Sequence, residues 1–388
     1  MSGSRQDPHP NPLPQAGEGA LLPRPGGERA GVRGLLDRLL SHDRPRNRWL
    51  AIVLVAIVLA LALTPFIFPG TKALNVAAKI VVFIVLAASF DLLLGYTGIV
   101  SFAHTMFFGI GAYGIAIAST RFGPTWGALA LGALAALVLS ALLSFVIGLF
   151  SLRVKAIFFA MITLAVASAF ATLASQLSDF TGGEDGLTFK VPVALQPGTE
   201  YAAGPVLGAS IDGRLFSYYI LFVTALVLVL ALLRIVNSPF GRVLQAIREN
   251  DFRAEAIGYR TVVYRTIASV VSALFATLAG VLLALWLRYN GPDTTLSFEI
   301  MLDVLLIVVI GGMGTIYGAV IGSVLLVLAQ NYLQDLMKLG ATAVQDVPVL
   351  SQIVSPDRWL LWLGILFVLS VYYFPSGVVG RLRAIRRR

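Results

Sequence analysis

The sequence predicts an all-α, polytopic integral membrane protein, and three observations lead to that prediction. Of the 388 residues, 57% are hydrophobic and 13% are charged, whereas about a quarter of the residues in soluble domains are charged. The mean hydropathy is +0.85, and several apolar runs approach the ~20 residues that a helix needs to cross a bilayer. The net charge of +9 could indicate nucleic-acid binding, but the basic residues cluster at the ends of apolar runs and at the C-terminus, as in membrane topology. The absence of cysteine excludes disulfides and thiolate metal sites.

Residues 1–48 differ in composition from the rest of the chain. They contain seven prolines and seven glycines, and such a segment cannot bury enough apolar surface to fold. We therefore expect a disordered N-terminal tail over 1–48, a transmembrane domain over 49–380 and a basic tail over 381–388. The first apolar run is too long for a signal-peptide core and is interpreted as a span.

Ten apolar runs are predicted to cross the membrane as helices, with boundaries good to a few residues. They are 49–68, 73–95, 97–120, 124–151, 156–177, 216–236, 262–287, 298–313, 316–334 and 358–376.

The placement of arginine and lysine orients these spans. Basic residues precede the first span at 44–48, follow the fourth at 153–155 and follow the tenth at 381–388. The positive-inside rule places all three groups, and hence both termini, in the cytoplasm. The loops 178–215 and 335–357 are poor in basic residues and are expected outside.

The charged stretch 238–265 lies between the sixth and seventh spans and is too polar to cross the membrane. Ser238 and Pro239 form a typical helix start, since a hydroxyl caps the helix and proline needs no hydrogen bond at its first position. The helix is expected to be amphipathic and to end at Gly258. Its pattern fits a helix lying on lipid headgroups and a helix docked on another protein equally well. Its apolar positions are Phe240, Val243, Leu244 and Ile247.

Within this stretch, the run GRVLQAIRENDFRAEAIGY resembles the Liv-type permeases, which import leucine, isoleucine, valine and related amino acids. Its AEAIG segment resembles the EAA-type loop of ABC-importer permeases. The resemblance implies that 238–265 is a cytoplasmic coupling loop whose helix sits in a groove of an ATPase subunit. The residues expected to carry this coupling are Gly241, Arg248, Glu249, Glu255 and Gly258.

Residues 95–114, GYTGIVSFAHTMFFGIGAYG, combine five glycines with polar side chains in an apolar run. Such glycines let helices approach closely, or let a helix break where it lines a cavity. An unwound helix offers N–H groups to a carboxylate and C=O groups to an ammonium, as an amino-acid zwitterion needs. The residues alone fit a glycine-lined packing interface equally well. The passage also resembles the signature of the Liv-type permeases, which implies a position near the translocation path.

A second glycine cluster, in LLIVVIGGMGTIYGAVIG, also resembles that family and could be a pseudo-repeat of the first. Each cluster places a glycine break between two apolar stretches. Together the two clusters provide the candidate residues of the substrate path, which are Gly95, Tyr96, Thr97, Gly98, Ser101, His104, Gly109, Gly111, Gly312 and Gly314.

Ionisable residues within spans need partners, since an unpaired charge at mid-bilayer costs about 2.5–3.5 kcal/mol. Lys79 and Asp91 lie about 120° apart around the second span, so we do not expect them to pair with each other. The Lys79 side chain is expected to extend towards the membrane surface, and Asp91 is expected to face protein. Glu299 and Asp303 share one face of the eighth span. They could line the path for the amino group of a substrate. The preferred interpretation is that one carboxylate lies at the membrane interface and the other is paired within the bundle. For His104, a hydrogen-bonded packing role is preferred over that of a ligand or proton relay.

No catalytic motif is present, since none of the five lysines lies in a G-x-x-x-x-G-K-[ST] phosphate loop. We therefore expect no enzyme activity and no cofactor in this chain, with ATP used by partner subunits. The resemblance implies a permease subunit of an ATP-driven ABC importer for branched-chain amino acids in the bacterial cytoplasmic (inner) membrane. The implied partners are a second related permease (a heterodimer), two ATP-binding subunits and an extracytoplasmic solute-binding protein. The cargo could instead be urea, short amides or other amino acids, and a distant alternative is a self-sufficient secondary transporter or channel.

Overall fold

The structure is a computed structural model that describes residues 48–68, 70–151, 156–201, 211–343, 355–374 and 377–384. The predicted tail 1–48, apart from Arg48, and residues 385–388 of the predicted basic tail lie outside these ranges. Within the described ranges, nine helical segments are long and apolar enough to cross a membrane. The prediction of an all-α, polytopic membrane fold is therefore confirmed.

The described chain contains fifteen α-helices and three short 3-10 helices. The α-helices are α1 (Arg48–Ile67), α2 (Thr71–Thr97), α3 (His104–Phe122), α4 (Trp126–Ser151), α5 (Ala156–Gln176), α6 (Ser178–Thr181), α7 (Gly213–Asn237), α8 (Pro239–Glu249), α9 (Asp251–Ala256), α10 (Thr261–Leu287), α11 (Pro292–Thr295), α12 (Phe298–Gly311), α13 (Ile316–Ala343), α14 (Trp359–Tyr373) and α15 (Gly377–Ala384). The 3-10 helices are Gly183–Asp185, Val193–Leu195 and Pro356–Arg358.

Two boundaries differ from the sequence-based prediction. The predicted span 97–120 begins too early, because Thr97 is the last residue of α2 and α3 begins at His104. The cause is Gly98, whose left-handed φ of +73° ends α2, while the N–H of Ile99 closes the turn on the Leu93 carbonyl at 3.3 Å. Helix α3 is not among the nine segments that are long and apolar enough to cross a membrane, and these nine correspond to the other nine of the ten predicted spans. Helix α13 continues to Ala343, so the first part of the predicted outer loop 335–357 is helical.

Helix α2 forms the centre of the bundle. Nearly all of its residues are buried, and it packs against α7, α10, α12 and α13. By contrast, α4 exposes an apolar stripe, as expected of a helix that faces lipid or a neighbouring subunit. The exposed members of that stripe include Leu131, Leu134, Val138 and Leu142.

Helices α3 and α10 pack closely against each other. A Cβ at Gly111 would overlap the backbone of Thr277, and one at Gly280 would overlap the carbonyl of Phe108. Glycine on both helices therefore permits backbone approach, as in other membrane helix pairs.

Polar contacts mark the two ends of the bundle. At one end, which we call the Arg248 end, α8 meets the C-terminus of α2. At the other, which we call the Arg288 end, Lys72 forms an ion pair with Asp335. There the two-residue strands β1 (Leu187–Thr188) and β2 (Tyr289–Asn290) pair in antiparallel fashion. This pairing was not predicted, and it ties the loop 178–215 to the connection after α10.

Candidate functional site

The loop 238–265 contains two helices instead of the one continuous helix that was predicted. Helix α8 ends at Glu249, and α9 starts after Asn250, whose backbone is extended. The Asn250 side chain accepts a hydrogen bond from the N–H of Arg253 at 2.9 Å and so caps α9. Asparagine competes for backbone groups in this way at helix starts, which explains why the helix does not run on to Gly258.

The predicted apolar face of α8 packs against the bundle of its own chain. Leu244 and Ile247 are fully buried, and the Phe240 ring stacks on Tyr264 with 5.9 Å between ring centroids. A Cβ at Gly241 would overlap the backbone of Val236 at the end of α7. The apolar face that was predicted for this helix is therefore covered by its own chain.

Arg248 connects α8 to the first glycine cluster. Its Nη1 donates a hydrogen bond to the carbonyl oxygen of Gly95, near the end of α2. The guanidinium also lies close enough to the Asp91 carboxylate for electrostatic attraction. Thus the cytoplasmic loop expected from the sequence directly contacts the break between α2 and α3.

The two glycine clusters, which are far apart in sequence, meet next to Arg248. The N–H of Gly314 donates to Oδ1 of Asp91 at 2.8 Å, and Asp91 is fully buried, facing protein as predicted. A Cβ at Gly95 would overlap both the Asp91 carboxylate and the backbone nitrogen of Gly314. Gly314 itself has a φ of +79°, which favours glycine. We call Gly95, Asp91, Arg248 and Gly314 the glycine junction.

The second cluster is covered on its other side by α15. Gly312 has a φ of +118°, and a Cβ at Gly377 would overlap the Gly312 backbone. The C-terminal helix therefore holds the turn between α12 and α13, a contact that the sequence did not predict.

Only part of the first glycine passage is unwound. Residues 98–103 are non-helical, whereas Gly109 and Gly111 lie inside the continuous helix α3. Gly109 packs on Leu296 and Gly111 on Thr277. Gly109 and Gly111 therefore belong to a packing interface between helices. Within this passage, the helix is broken over residues 98–103.

The polar residues beside the break are buried and bonded to nearby backbone. Thr97 donates from Oγ1 to the Leu93 carbonyl at 2.6 Å. The Oγ of Ser101 accepts from the N–H of Ala103 at 3.4 Å. Tyr96 is also buried. The structure thus places the predicted path residues Tyr96, Thr97 and Ser101 in a buried position beside the glycine junction.

His104 has the hydrogen-bonded packing role that was preferred from the sequence. Its Nε2 lies 3.0 Å from the Ser89 Oγ and 3.4 Å from the Ser272 Oγ. The ring meets Phe90 edge-on with 5.2 Å between centroids. This polar contact joins α2, α3 and α10 in the buried centre of the bundle.

The carboxylates of α12 also follow the preferred interpretation. Asp303 accepts from the Gln330 Nε2 at 2.7 Å, and the Gln330 Oε1 accepts from Lys79 at 3.5 Å. Glu299 is exposed. Within the described ranges, no group of three His, Asp or Glu side chains is placed as a metal site would need.

The remaining predicted coupling residues lie on the outer part of the loop. Glu249 is exposed at the end of α8, and the Glu255 carboxylate accepts from the Thr261 Oγ1 at 2.6 Å. Gly258 has a φ of +96° and faces open space. An ion pair between Asp251 and Arg265, at 2.9 Å, was missed although their opposite charges flank the same turn.

Comparison with known families identifies the type of protein. Residues 72–371 match the family described as "Branched-chain amino acid transport system / permease component". The chain belongs to this permease family. It is a multi-pass membrane protein and, like other members of the permease family, a transport subunit.

Three curated relatives of this permease share about a quarter of its residues. The "High-affinity branched-chain amino acid transport system permease protein LivM" of Salmonella typhimurium is 26% identical over 321 residues, which are 79% of this chain and 74% of the relative. The Escherichia coli K12 protein of the same name is 26% identical over 318 residues, covering 78% and 73%. The "Probable branched-chain amino acid transport permease protein LivM" of Methanocaldococcus jannaschii is 28% identical over 250 residues, covering 63% and 67%. No solved structure matches the chain.

Proposed function

We propose that this chain is the transmembrane permease subunit of an ATP-driven ABC importer for leucine, isoleucine and valine. The observation that carries the proposal is the contact between Arg248 of α8 and the carbonyl of Gly95. This contact links a polar loop outside the membrane to the break in the central helix. A force applied to α8 therefore acts directly on the glycine junction.

The outer surface of the loop 238–265 supports the docking of an ATPase subunit. Phe252 is 86% exposed and Ile257 is 67% exposed, although both lie in a strongly charged segment. Exposed apolar side chains with a polar rim are typical of protein interfaces. Because the inner face of α8 is already buried by its own bundle, these residues of α9 and the following turn are the ones available to a partner groove.

The glycine junction supports a gate at one end of the translocation path. It joins two helix breaks, at 98–103 and after Gly311, through the hydrogen bond between Gly314 and Asp91. Broken helices expose backbone groups suited to both ends of a zwitterion. In this proposal, Gly95, Gly98, Gly312 and Gly314 rearrange when the ATPases move α8, and the path opens there.

The proposed setting is the bacterial cytoplasmic membrane, with both termini and the loop 238–265 in the cytoplasm and the loop 178–215 outside. The distribution of basic residues supports this orientation, in which α3 also crosses the membrane and brings the number of spans to ten. The working assembly contains a second related permease, two ATP-binding subunits and an extracytoplasmic solute-binding protein. ATP is bound by the partner subunits, and this chain binds no cofactor.

The names of the relatives favour branched-chain amino acids over urea, short amides or other amino acids as cargo. The partner-facing loop favours an ABC importer over a self-sufficient secondary transporter, which would have no need of an ATPase-docking surface. A helix lying on lipid headgroups remains the competing explanation for the exposed apolar residues of α9.

The test is co-purification of the ATPase subunits with the permease, together with ATP-driven leucine uptake by the reconstituted complex. We expect Phe252→Asp to reduce ATPase recovery and to abolish uptake, because a charge would enter an apolar groove. Val193→Asp is the matched control, since Val193 is 67% exposed at the Arg288 end, and it should leave ATPase recovery unchanged. Full ATPase recovery with Phe252→Asp would contradict the docking proposal, and leucine uptake without ATP would contradict the importer itself.

A further inference from the structure

A polar cavity of about 300 Å³ lies at the Arg288 end of the bundle, remote from the glycine junction. This volume falls at the lower end of the range of small-molecule sites. Polar groups of α2, α7 and α10 converge on it. It is lined by Asn75, Pro197, Arg214, Trp286, Leu287 and Arg288.

Arg214 is fixed in position on one wall of the cavity. Its Nη2 donates to the Oδ1 of Asn75 at 3.0 Å, and the indole N–H of Trp286 donates to the same oxygen at 3.2 Å. The guanidinium lies over the Trp286 ring at 5.6 Å from the centroid. One face of the cavity is therefore a preorganised cation beside an aromatic surface.

Arg288 reaches the cavity from the end of α10 in an unusual backbone conformation. Its φ of +57° is in the left-handed region, where glycine or asparagine normally ends a helix. The Nη2 donates to the Leu195 carbonyl at 3.0 Å, whereas the buried Nε–H has no partner among the described residues. A buried cationic donor without an acceptor is costly, and the Arg288 side chain lines the cavity next to it.

The charge around the cavity is positive. Burial and the neighbouring Arg214 lower the pKa of Arg288, and Asp212 only partly offsets this effect. The Oδ1 of Asp212 already accepts the N–H of Leu215 at 2.9 Å as the cap of α7. The guanidinium groups of Arg214 and Arg288 thus have only the Asp212 carboxylate to balance their charge. An anionic group that entered the cavity would reduce the repulsion between the two guanidinium groups.

We propose that this cavity is a subsite for the carboxylate of a small amino acid, held by Arg214 and Arg288. Guanidinium groups are well suited to a carboxylate, which they bind through two parallel hydrogen bonds. Trp286 and Leu287 provide an apolar wall for an aliphatic side chain. The choice of leucine as the ligand rests on the proposed function, whereas the preference for a carboxylate rests on the cavity itself.

The test is binding of leucine to the purified full-length permease in nanodiscs, measured by saturation-transfer difference NMR. Leucinol, which lacks the carboxylate, and acetate, which lacks both the amino group and the side chain, are the comparison ligands. We expect leucine to bind and Arg288→Gln or Arg214→Gln to weaken its binding at least tenfold. Arg288→Gly should do the same, although glycine suits the backbone at this position. Arg121→Gln removes an arginine that bonds to the Asp179 carbonyl outside the cavity and should change nothing.

Each possible outcome decides the proposal. Equal binding of leucine and leucinol, or leucine binding unchanged by both arginine variants, would overturn it. If leucine does not bind but Arg288→Gln abolishes stimulation by the solute-binding protein, the carboxylate belongs to a protein partner and this proposal is wrong. Acetate binding lost with Arg288→Gln, in a complex that transports no leucine, would support the subsite and refute the proposed cargo.

Discussion

Removing the guanidinium of Arg248 should uncouple α8 from the glycine junction. The Arg248→Gln variant loses a charge-assisted hydrogen bond to the Gly95 carbonyl, and such bonds contribute about 1.5–3 kcal/mol. It also removes a cation that attracts the buried Asp91 carboxylate, which raises the cost toward the upper end of that range. If the contact exists in only one of the two gate states, the equilibrium between those states shifts by about 10- to 150-fold.

The appropriate assay is ATP-driven leucine uptake by proteoliposomes containing the whole complex, with ATP hydrolysis measured in the same preparation. We expect uptake to fall at least tenfold while hydrolysis continues, because α8 would still move without moving the junction. Arg242→Gln is the matched control, since Arg242 is an exposed arginine on the same helix, and its uptake should be normal. A double-mutant cycle with Asp91→Asn should show that the two effects are not additive.

Two results would refute this reasoning. Normal uptake by Arg248→Gln would show that the contact with Gly95 transmits nothing. An equal loss of uptake in Arg242→Gln would show that the positive charge of the loop matters, and not the position of one guanidinium.

Two further predictions concern packing and orientation. Gly95→Leu should prevent accumulation of folded permease, because its side chain would overlap the Gly314 backbone; a well-folded variant seen as a single peak in size-exclusion chromatography would contradict this. Single cysteines at Val193 and Ala256, introduced into a chain without cysteine, should differ in labelling by an impermeant thiol reagent, with Val193→Cys alone labelled from outside intact cells. Labelling of Ala256→Cys from outside would invert the proposed topology.

Much of the fold could be predicted because lipid imposes a simple rule on the sequence. Within the bilayer, each backbone polar group must be satisfied within its own helix. Length and apolarity therefore sufficed to locate the helices from Arg48–Ile67 to Trp359–Tyr373 to within a few residues. The exceptions are the start of α3 and the end of α13. The predicted start of the third span, at residue 97, overlooked a local stop signal. Gly98 ends α2 in the left-handed conformation that glycine favours.

The errors arose where a side chain competes with a helix or where a helix continues without a stop signal. Asn250 caps α9 and divides the predicted coupling helix, although nothing in the apolar periodicity marks that position. The predicted end of α13 was too early because residues after 334 become polar, yet they remain helical and Asp335 pairs with Lys72.

The sequence by itself determined the class of the protein, most of its helices and the position of its two glycine clusters. The tertiary structure decided which of these residues meet. Gly95 and Gly314 come into contact across more than two hundred residues of chain, and Arg248 joins them to α8. Arg214 and Arg288 converge on one cavity in the same way. Such contacts depend on how helices cross and how closely their backbones approach, and this is a property of packing between distant segments that no local pattern records.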